Sequence, residues 1–334
     1  MRISALLAAA CVAAVAATPA HAEVGELRIA KQYGLGYLQL ILMEDQKLIE
    51  KQARAAGLGD LKVSWNTFRS SDVMNDALLS GSVDFVCLGP PGLSIIWAKT
   101  AGTAQEVKGS SGLNSLPLFL NTREARIQSI RDLGEKDRIA LPAVKVSFQA
   151  IMLQMAAAKT FGDANYAKLD PLTVSMAHPD GLATFLSGVG EINNHFTSPP
   201  FQYRELARPG VRKLTSSYDI LGTKGSFNII AATTKFRTAN PKAYGVFNAA
   251  LAEATAMIVK DKPAAAQTYL RVTQDKAPPE EILAMLNDPD IEFHTVPKGL
   301  QQIADFMYKV GTIKTKPGSW KDLLHDNLHG QPGS

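Results

Sequence analysis

Cysteine is almost absent from this chain. Of 334 residues only Cys11 and Cys87 are cysteines. Cys11 lies in an N-terminal apolar run that reads as a removable leader, which leaves one thiol and no internal disulfide. The mature fold must then be held by packing alone. Cys87 sits in the apolar stretch 83–88 with no His, Asp or Asn constellation beside it in sequence, and reads as a buried strand residue. An excess of one sign of charge is also small. The formal net charge is +4 and no basic run exists, which leaves nucleic-acid binding without support. The sequence has no H-x-H or C-x-x-C spacing for a metal, no G-x-S-x-G of a serine hydrolase, and no G-x-x-x-x-G-K-[ST] of an ATPase. No catalytic residue, metal or cofactor is therefore expected. After residue 22 nothing approaches the roughly 20 apolar residues of a membrane span, and there is no low-complexity tract or short-period repeat.

What is present begins with a leader. Arg2 supplies a positive start, 3–17 are almost wholly apolar and small, and Ala20-His21-Ala22 is an A-x-A cleavage signal. Export is expected, with a mature N-terminus at Glu23. A lipoprotein anchor at Cys11 fits less well, because Ala8 stands where a bulky aliphatic residue is preferred. The mature chain is long enough for two separate cores. Its 46% hydrophobic and 20% charged residues are an ordinary globular balance.

Strand-like and helix-like segments alternate along it. Strands are expected at 27–30, 61–65 and 83–88, with helices at 38–55, 71–79 and 93–99 between and after them. Gly57, Gly59 and Ser80-Gly81 stop the first two helices. A second unit with the same rhythm has strands at 117–120, 138–142, 172–175, 191–197 and 211–216, and helices at 148–161 and 179–186. The chain returns through a strand at 227–232, after which it is mostly helical. This order predicts an α/β protein of two lobes, each a mainly parallel sheet flanked by helices, with a ligand cleft between them. Lobe one comprises residues 23–113 together with 223–334, and lobe two is inserted as 114–222. Hinges are expected near Asn114–Pro117 and Gly222–Ser226.

In open α/β sheets ligands bind beyond the carboxyl ends of the strands, where helix starts direct free N–H groups at them. Three strand-to-helix turns qualify: Tyr33 to Leu38, with contacts at Tyr33 and Gly34; Gly89 to Leu93, with contacts at Gly89 and Pro90; and Ser147 to Ala150, with contacts at Ser147, Phe148 and Gln149. Proline suits a first helical turn because no N–H is required there. Phe68 and Arg69 end the second β-unit, and Arg69 is either an anion partner or a solvated loop charge. Ser111 and Asn114 belong to a polar patch, 110–115, between the lobes. Asn194, His195 and Phe196 lie on a strand of lobe two, where His195 reads as a hydrogen-bonding residue at a strand end. Ser226-Phe227-Asn228 begins the return strand and is expected to face the cleft, with Asn228 as the contact. These fifteen positions are the expected ligand contacts.

Four stretches resemble the nitrate/sulfonate/taurine group of periplasmic binding proteins, whose fold also serves thiamine-pyrimidine carriers. They are 76–85, with a helix, a Gly turn and a strand opening at Asp84; Gly89-Pro90-Pro91; the strand, Pro142, Ser147 and helix arrangement; and Phe185-Leu186-Ser187-Gly188 before a strand ending at Pro199-Pro200. Where that family often carries an aromatic D-A-W-x-x-x-x-P segment, this chain has 191–196 instead. The resemblance implies a type II periplasmic-binding-protein fold and a monomer in the periplasm. It implies capture of a small anionic organic ligand, sulfonate or carboxylate, by closure of the lobes and delivery to an ABC-importer permease. The alternatives are a pyrimidine-precursor carrier or synthase on the same fold and a ligand-sensing partner of a membrane receptor. The synthase calls for a cysteine-rich motif that is missing here.

Overall fold

A computed structural model describes residues 23–334. The leader expected over 1–22 lies outside the described residues. In chain order the elements are β1 (Glu26–Lys31), α1 (Leu38–Asp45), α2 (Leu48–Ala55), β2 (Lys62–Thr67), α3 (Ser71–Leu79), β3 (Phe85–Leu88), α4 (Pro90–Thr100) and β4 (Val107–Ser115). The second lobe contributes β5 (Phe119–Thr122), β6 (Arg138–Leu141), α5 (Phe148–Phe161), β7 (Thr173–Ser175), α6 (His178–Ser187), β8 (Ile192–Thr197), α7 (Phe201–Leu206), β9 (Arg212–Ser216) and α8 (Ser217–Leu221). The chain then returns as β10 (Ser226–Thr233), α9 (Thr234–Ala239), α10 (Pro241–Lys260), α11 (Lys262–Thr273), α12 (Pro279–Leu286), β11 (Glu292–Phe293) and α13 (Leu300–Lys309).

These strands form two sheets, ordered β11-β4-β10-β3-β1-β2 and β7-β6-β8-β5-β9. The protein is a two-lobe α/β molecule. The chain passes from the first sheet to the second between Ser115 and Phe119 and returns between Ser216 and Ser226. Most strands of each sheet run the same way, as expected, and each sheet also carries antiparallel members. β1 pairs in parallel with β2 and β3, and β6 with β7 and β8, but β5 and β10 run antiparallel to both of their neighbours. Each of these is the first strand after a crossing. The chain crosses where the parallel strands finish, so an incoming strand starts at that end and must run the other way.

Two expectations change. The single helix expected over 38–55 is two, because Lys47 takes a left-handed conformation (φ 50°) at the break. The polar patch 110–115, expected between the lobes, is part of the nine-residue strand β4, which pairs with β10 through three register shifts. Its small side chains hide a period-2 pattern because nearly all of β4 is buried.

Lobe one has an apolar core. Phe85 stacks on Phe247 of α10 with ring centroids 4.0 Å apart, and Cys87 is buried and free. Burial pushes that thiol well above its usual pKa, which makes it a packing residue, not a nucleophile. Lobe two is different. Asn121, Asn194, His195, Gln202 and Glu205 are all fully buried, and such groups are tolerated only when they bond one another. Glu205 Oε1 lies 2.5 Å from His195 Nδ1, and Asn121 Nδ2 donates to Glu205 Oε2 at 2.8 Å. Among the described residues no helix is long and apolar enough to cross a membrane.

Candidate functional site

The parallel strands β1, β3 and β6 stop at the interface of the two lobes, and the helices that follow begin there. The residues at these turns enclose a narrow crevice. Lobe one supplies Gln32 and Tyr37 after β1, Ser71 at the start of α3, Gly89 before α4, and Phe227 and Asn228 from β10. Lobe two supplies Pro142, Ser147, Phe148 and Gln149 around the start of α5, and His178 at the start of α6. The enclosed space is about 20 Å³, room for roughly one water molecule.

Contacts between lobes account for the narrowness. Phe148 projects from lobe two against Phe227 of lobe one, with near-parallel rings 6.3 Å apart. A Cβ on Gly89 would lie 3.2 Å from the Phe148 Cβ, so glycine is what lets the aromatic approach. Leu35 N–H donates to the Pro199 carbonyl at 2.9 Å. At the outer rim Arg204 of α7 reaches Asp275 at 2.8 Å and Glu281 at 2.6 Å in lobe one, and Tyr203 donates to Asp288 at 2.8 Å.

The crevice lining carries no formal charge. Its donors are neutral side chains and helix starts. Ser147 Oγ caps α5 by accepting from Ala150 N–H at 3.2 Å, which leaves the Phe148 and Gln149 N–H groups without intrahelical partners. The fully buried Ser70 hydroxyl before α3 has no protein partner. Burial, with a smaller contribution from His195, pushes the His178 pKa well below 6.5. His178 is accordingly a neutral imidazole. Its Nδ1 lies 2.9 Å from Thr197 Oγ1 and its Nε2 lies 3.2 Å from Gln149 Nε2, so Nδ1–H donates to the hydroxyl and Nε2 accepts from the amide.

His294 and His325 are likewise brought down to about 4, chiefly by burial. Unfolded histidines protonate as pH falls through about 6.5, whereas these three resist. Between roughly pH 6.5 and 4 the unfolded state binds more protons, so stability is full above 6.5 and falls on acidification by up to ~1.4 kcal/mol per pH unit per histidine. Urea midpoints at pH 7.5, 5.5 and 4.5 should drop in that order; equal midpoints would contradict buried neutral rings.

Of the expected contacts, Gly89, Ser147, Phe148, Gln149 and Asn228 line the crevice, and Pro90 is buried beside it in the first turn of α4. Tyr33 and Gly34 line an adjoining outer chamber. The others are placed elsewhere. Ser111 is buried in β4 and donates to the Gly112 carbonyl. Asn114 Nδ2 donates to the Gly36 carbonyl at 2.6 Å, as Asn228 Nδ2 does at 3.0 Å, and so supports the turn from beneath. Asn194, His195 and Phe196 are enclosed within lobe two, because β8 is paired on both edges and covered by α6. Gly181 of α6 lies so close over the His195 ring that a Cβ there would be 2.6 Å from Nε2.

Phe68 is half-buried and Arg69 exposed, and neither lines the crevice or the chamber. Arg69→Ala is therefore expected to change affinity for an anionic ligand by less than about twofold, whereas losing a charge-assisted bond would cost ~1.5–3 kcal/mol; calorimetry on the variant decides. Tyr37 lies within the first expected turn and Phe227 at the start of the return strand expected to face the cleft; the crevice residues missed in sequence are Gln32, Ser71, Pro142 and His178. Most stand within a few positions of an expected contact. His178-Pro179 after β7 was a further strand-to-helix turn, legible by the same rule.

No protein-family model and no curated protein matches the sequence. Solved structures do match. The chain is similar to the alkanesulfonate-binding protein SsuA from Xanthomonas axonopodis pv. citri bound to MOPS, at 20% identity and a TM-score of 0.69 over 87% of this chain and 95% of that one. It is similar to the periplasmic aliphatic sulphonate binding protein SsuA from Escherichia coli, at 19% identity and a TM-score of 0.65 over 91% and 93%. It is also similar to the periplasmic nitrate-binding protein NrtA from Synechocystis PCC 6803, at 13% identity and a TM-score of 0.68 over 90% and 84%. With two mixed sheets, two crossings and helix starts converging on an interlobe crevice, the chain has the fold of the periplasmic sulfonate- and nitrate-binding proteins.

Proposed function

We propose that this protein is a periplasmic solute-binding protein that captures a small anionic organic molecule, a sulfonate or carboxylate, between its lobes and delivers it to the permease of an ABC importer. The observation that carries the reading is the convergence of the starts of α3, α4, α5 and α6 from both lobes on one crevice. Helix starts stabilise negative charge without a cationic side chain, and the lining has none to offer. Ligand groups that touch both lobes favour the closed arrangement over an open one, which presents only half of the donors. The leader read over 1–22 places this capture outside the inner membrane, and release to a permease requires the lobes to reopen.

A panel of sulfonates and carboxylates tests the proposal by thermal shift. A ligand at 100 times its Kd adds about 2.7 kcal/mol to the folded state, a readily measured rise in Tm. Saturating ligand should also reduce the radius of gyration in solution scattering. A melting temperature that no member moves would overturn the ligand class. An unchanged radius with a bound ligand would overturn capture by closure.

A further inference from the structure

A separate cavity lies on lobe one, where β11 forms the edge of the first sheet. It encloses about 540 Å³, within the range of small-molecule pockets. It shares no lining residue with the crevice or the outer chamber. The two residues of β11, Glu292 and Phe293, pair with Ser115 and Asn114 of β4. The chain on either side of β11 makes the wall, together with the end of α10, the start of α11 and the end of α12.

Two features of this wall point to one kind of occupant. The first is apolar surface. Val259 at the end of α10 is 63% exposed, and Phe293 and Val296 are only half-buried. Apolar surface gathered at a concavity is what an apolar ligand covers. The second feature is unbalanced charge. The ionic side chains of the lining are Lys262, Glu292 and Lys298. Glu292 is shared, with Lys298 Nζ 3.3 Å from Oε2 and Lys224 Nζ 3.3 Å from Oε1. Among the described residues Lys262 pairs with no carboxylate, and the adjacent Asp261 uses Oδ1 to accept from Ala264 N–H at the start of α11. The wall thus holds two ammonium groups against one carboxylate that is already divided. A carboxylate on a ligand restores the balance through charge-assisted hydrogen bonds.

We infer that this cavity is a second ligand site, and that it takes an amphipathic carboxylate: the anionic group at Lys262 and Lys298, and a short aliphatic body against Val259, Phe293 and Val296. Lobe one supplies every residue of the lining, so the site needs no closure of the lobes and stands apart from capture in the crevice.

Calorimetry with octanoate tests it, with 1-octanol as the probe that lacks the charge. In the wild-type protein octanoate should bind at least about tenfold more tightly than the alcohol. Gly34→Ala, in which a Cβ would meet the Pro199 carbonyl of the other lobe, disturbs the crevice and leaves this cavity alone. It should bind octanoate within about twofold of wild type. Val259→Asp puts a negative charge into the apolar patch, and Lys262→Glu reverses the unpaired cation. Each, added to Gly34→Ala, should weaken the remaining octanoate binding at least about tenfold. If Gly34→Ala does not fold, the same two substitutions in the wild-type chain decide, by the same loss of affinity or by the loss of one of two binding events. Four results would each overturn the second site: no octanoate binding to the wild-type protein, equal affinity for 1-octanol, loss of octanoate from folded Gly34→Ala, or octanoate binding that Val259→Asp and Lys262→Glu leave unchanged. None of them bears on capture between the lobes.

Discussion

Glu205→Ala is expected to cost about 3–5 kcal/mol of folding stability, the loss typical of breaking a buried pair by removing one partner. Glu205 and His195 are both fully buried. The carboxylate meets His195 Nδ1 at 2.5 Å and accepts from Asn121 Nδ2 at 2.8 Å. Alanine would leave both groups in a space that water does not reach, each costing about 1–3 kcal/mol, and would open a cavity beneath α7. Against a total stability of about 5–15 kcal/mol, that is a large fraction. Glu205→Gln keeps the volume and one acceptor, and should recover roughly half. Urea unfolding of the two variants measures the difference. A loss below about 1 kcal/mol for the alanine variant would mean that His195 and Asn121 find new partners, and that the polar interior of lobe two is more adaptable than its geometry indicates.

The second large effect is expected at Gly34, and on ligand affinity. Gly34 has φ 107° and ψ 175°, a backbone region essentially reserved for glycine, where a side chain costs about 1–3 kcal/mol. The neighbour matters more. A Cβ at this position would lie 2.8 Å from the Pro199 carbonyl oxygen of lobe two and 3.3 Å from the Phe201 ring. The obstacle at Pro199 is backbone, next to the Leu35 N–H···O bond that joins the lobes. In Gly34→Ala the lobes must stand apart at this point, and the crevice loses its second wall. Affinity for the best sulfonate or carboxylate of the panel is expected to fall at least about tenfold, the equivalent of ~1.4 kcal/mol. The radius of gyration should stay at its ligand-free value when ligand is added. Wild-type affinity in this variant would show that the Gly34–Pro199 contact is not required for binding.

Sequence periodicity located most of the strands and helices, because strands such as β3 and β6 are mostly apolar and the segments are punctuated by glycine or a capping residue. The α/β order gave two lobes, and the strand-to-helix rule found Gly89, Ser147, Phe148 and Gln149. It failed where the local signal is weak. Residues 110–115 of β4 read as a polar patch between the lobes because serine, glycine and asparagine carry no hydrophobic alternation, yet β10 on one side and β11 on the other draw them into the sheet. The break at Lys47 has no glycine or proline to announce it.

By itself the sequence determined the class of fold, the absence of disulfide bracing and the positions where backbone could meet a ligand, since these depend on residue type and spacing along the chain. Only the tertiary structure decided which side chains of a strand face the cleft. Asn194 and His195 have the polarity of a binding site, but pairing on both edges of β8 and the cover of α6 turn them inward with Phe196, and Glu205, ten residues on, meets the histidine at Nδ1. Tertiary structure likewise decided that Arg69 faces solvent and that His178 lines the crevice. Exposure is a property of what packs from elsewhere in the chain, and one stretch of sequence does not contain it.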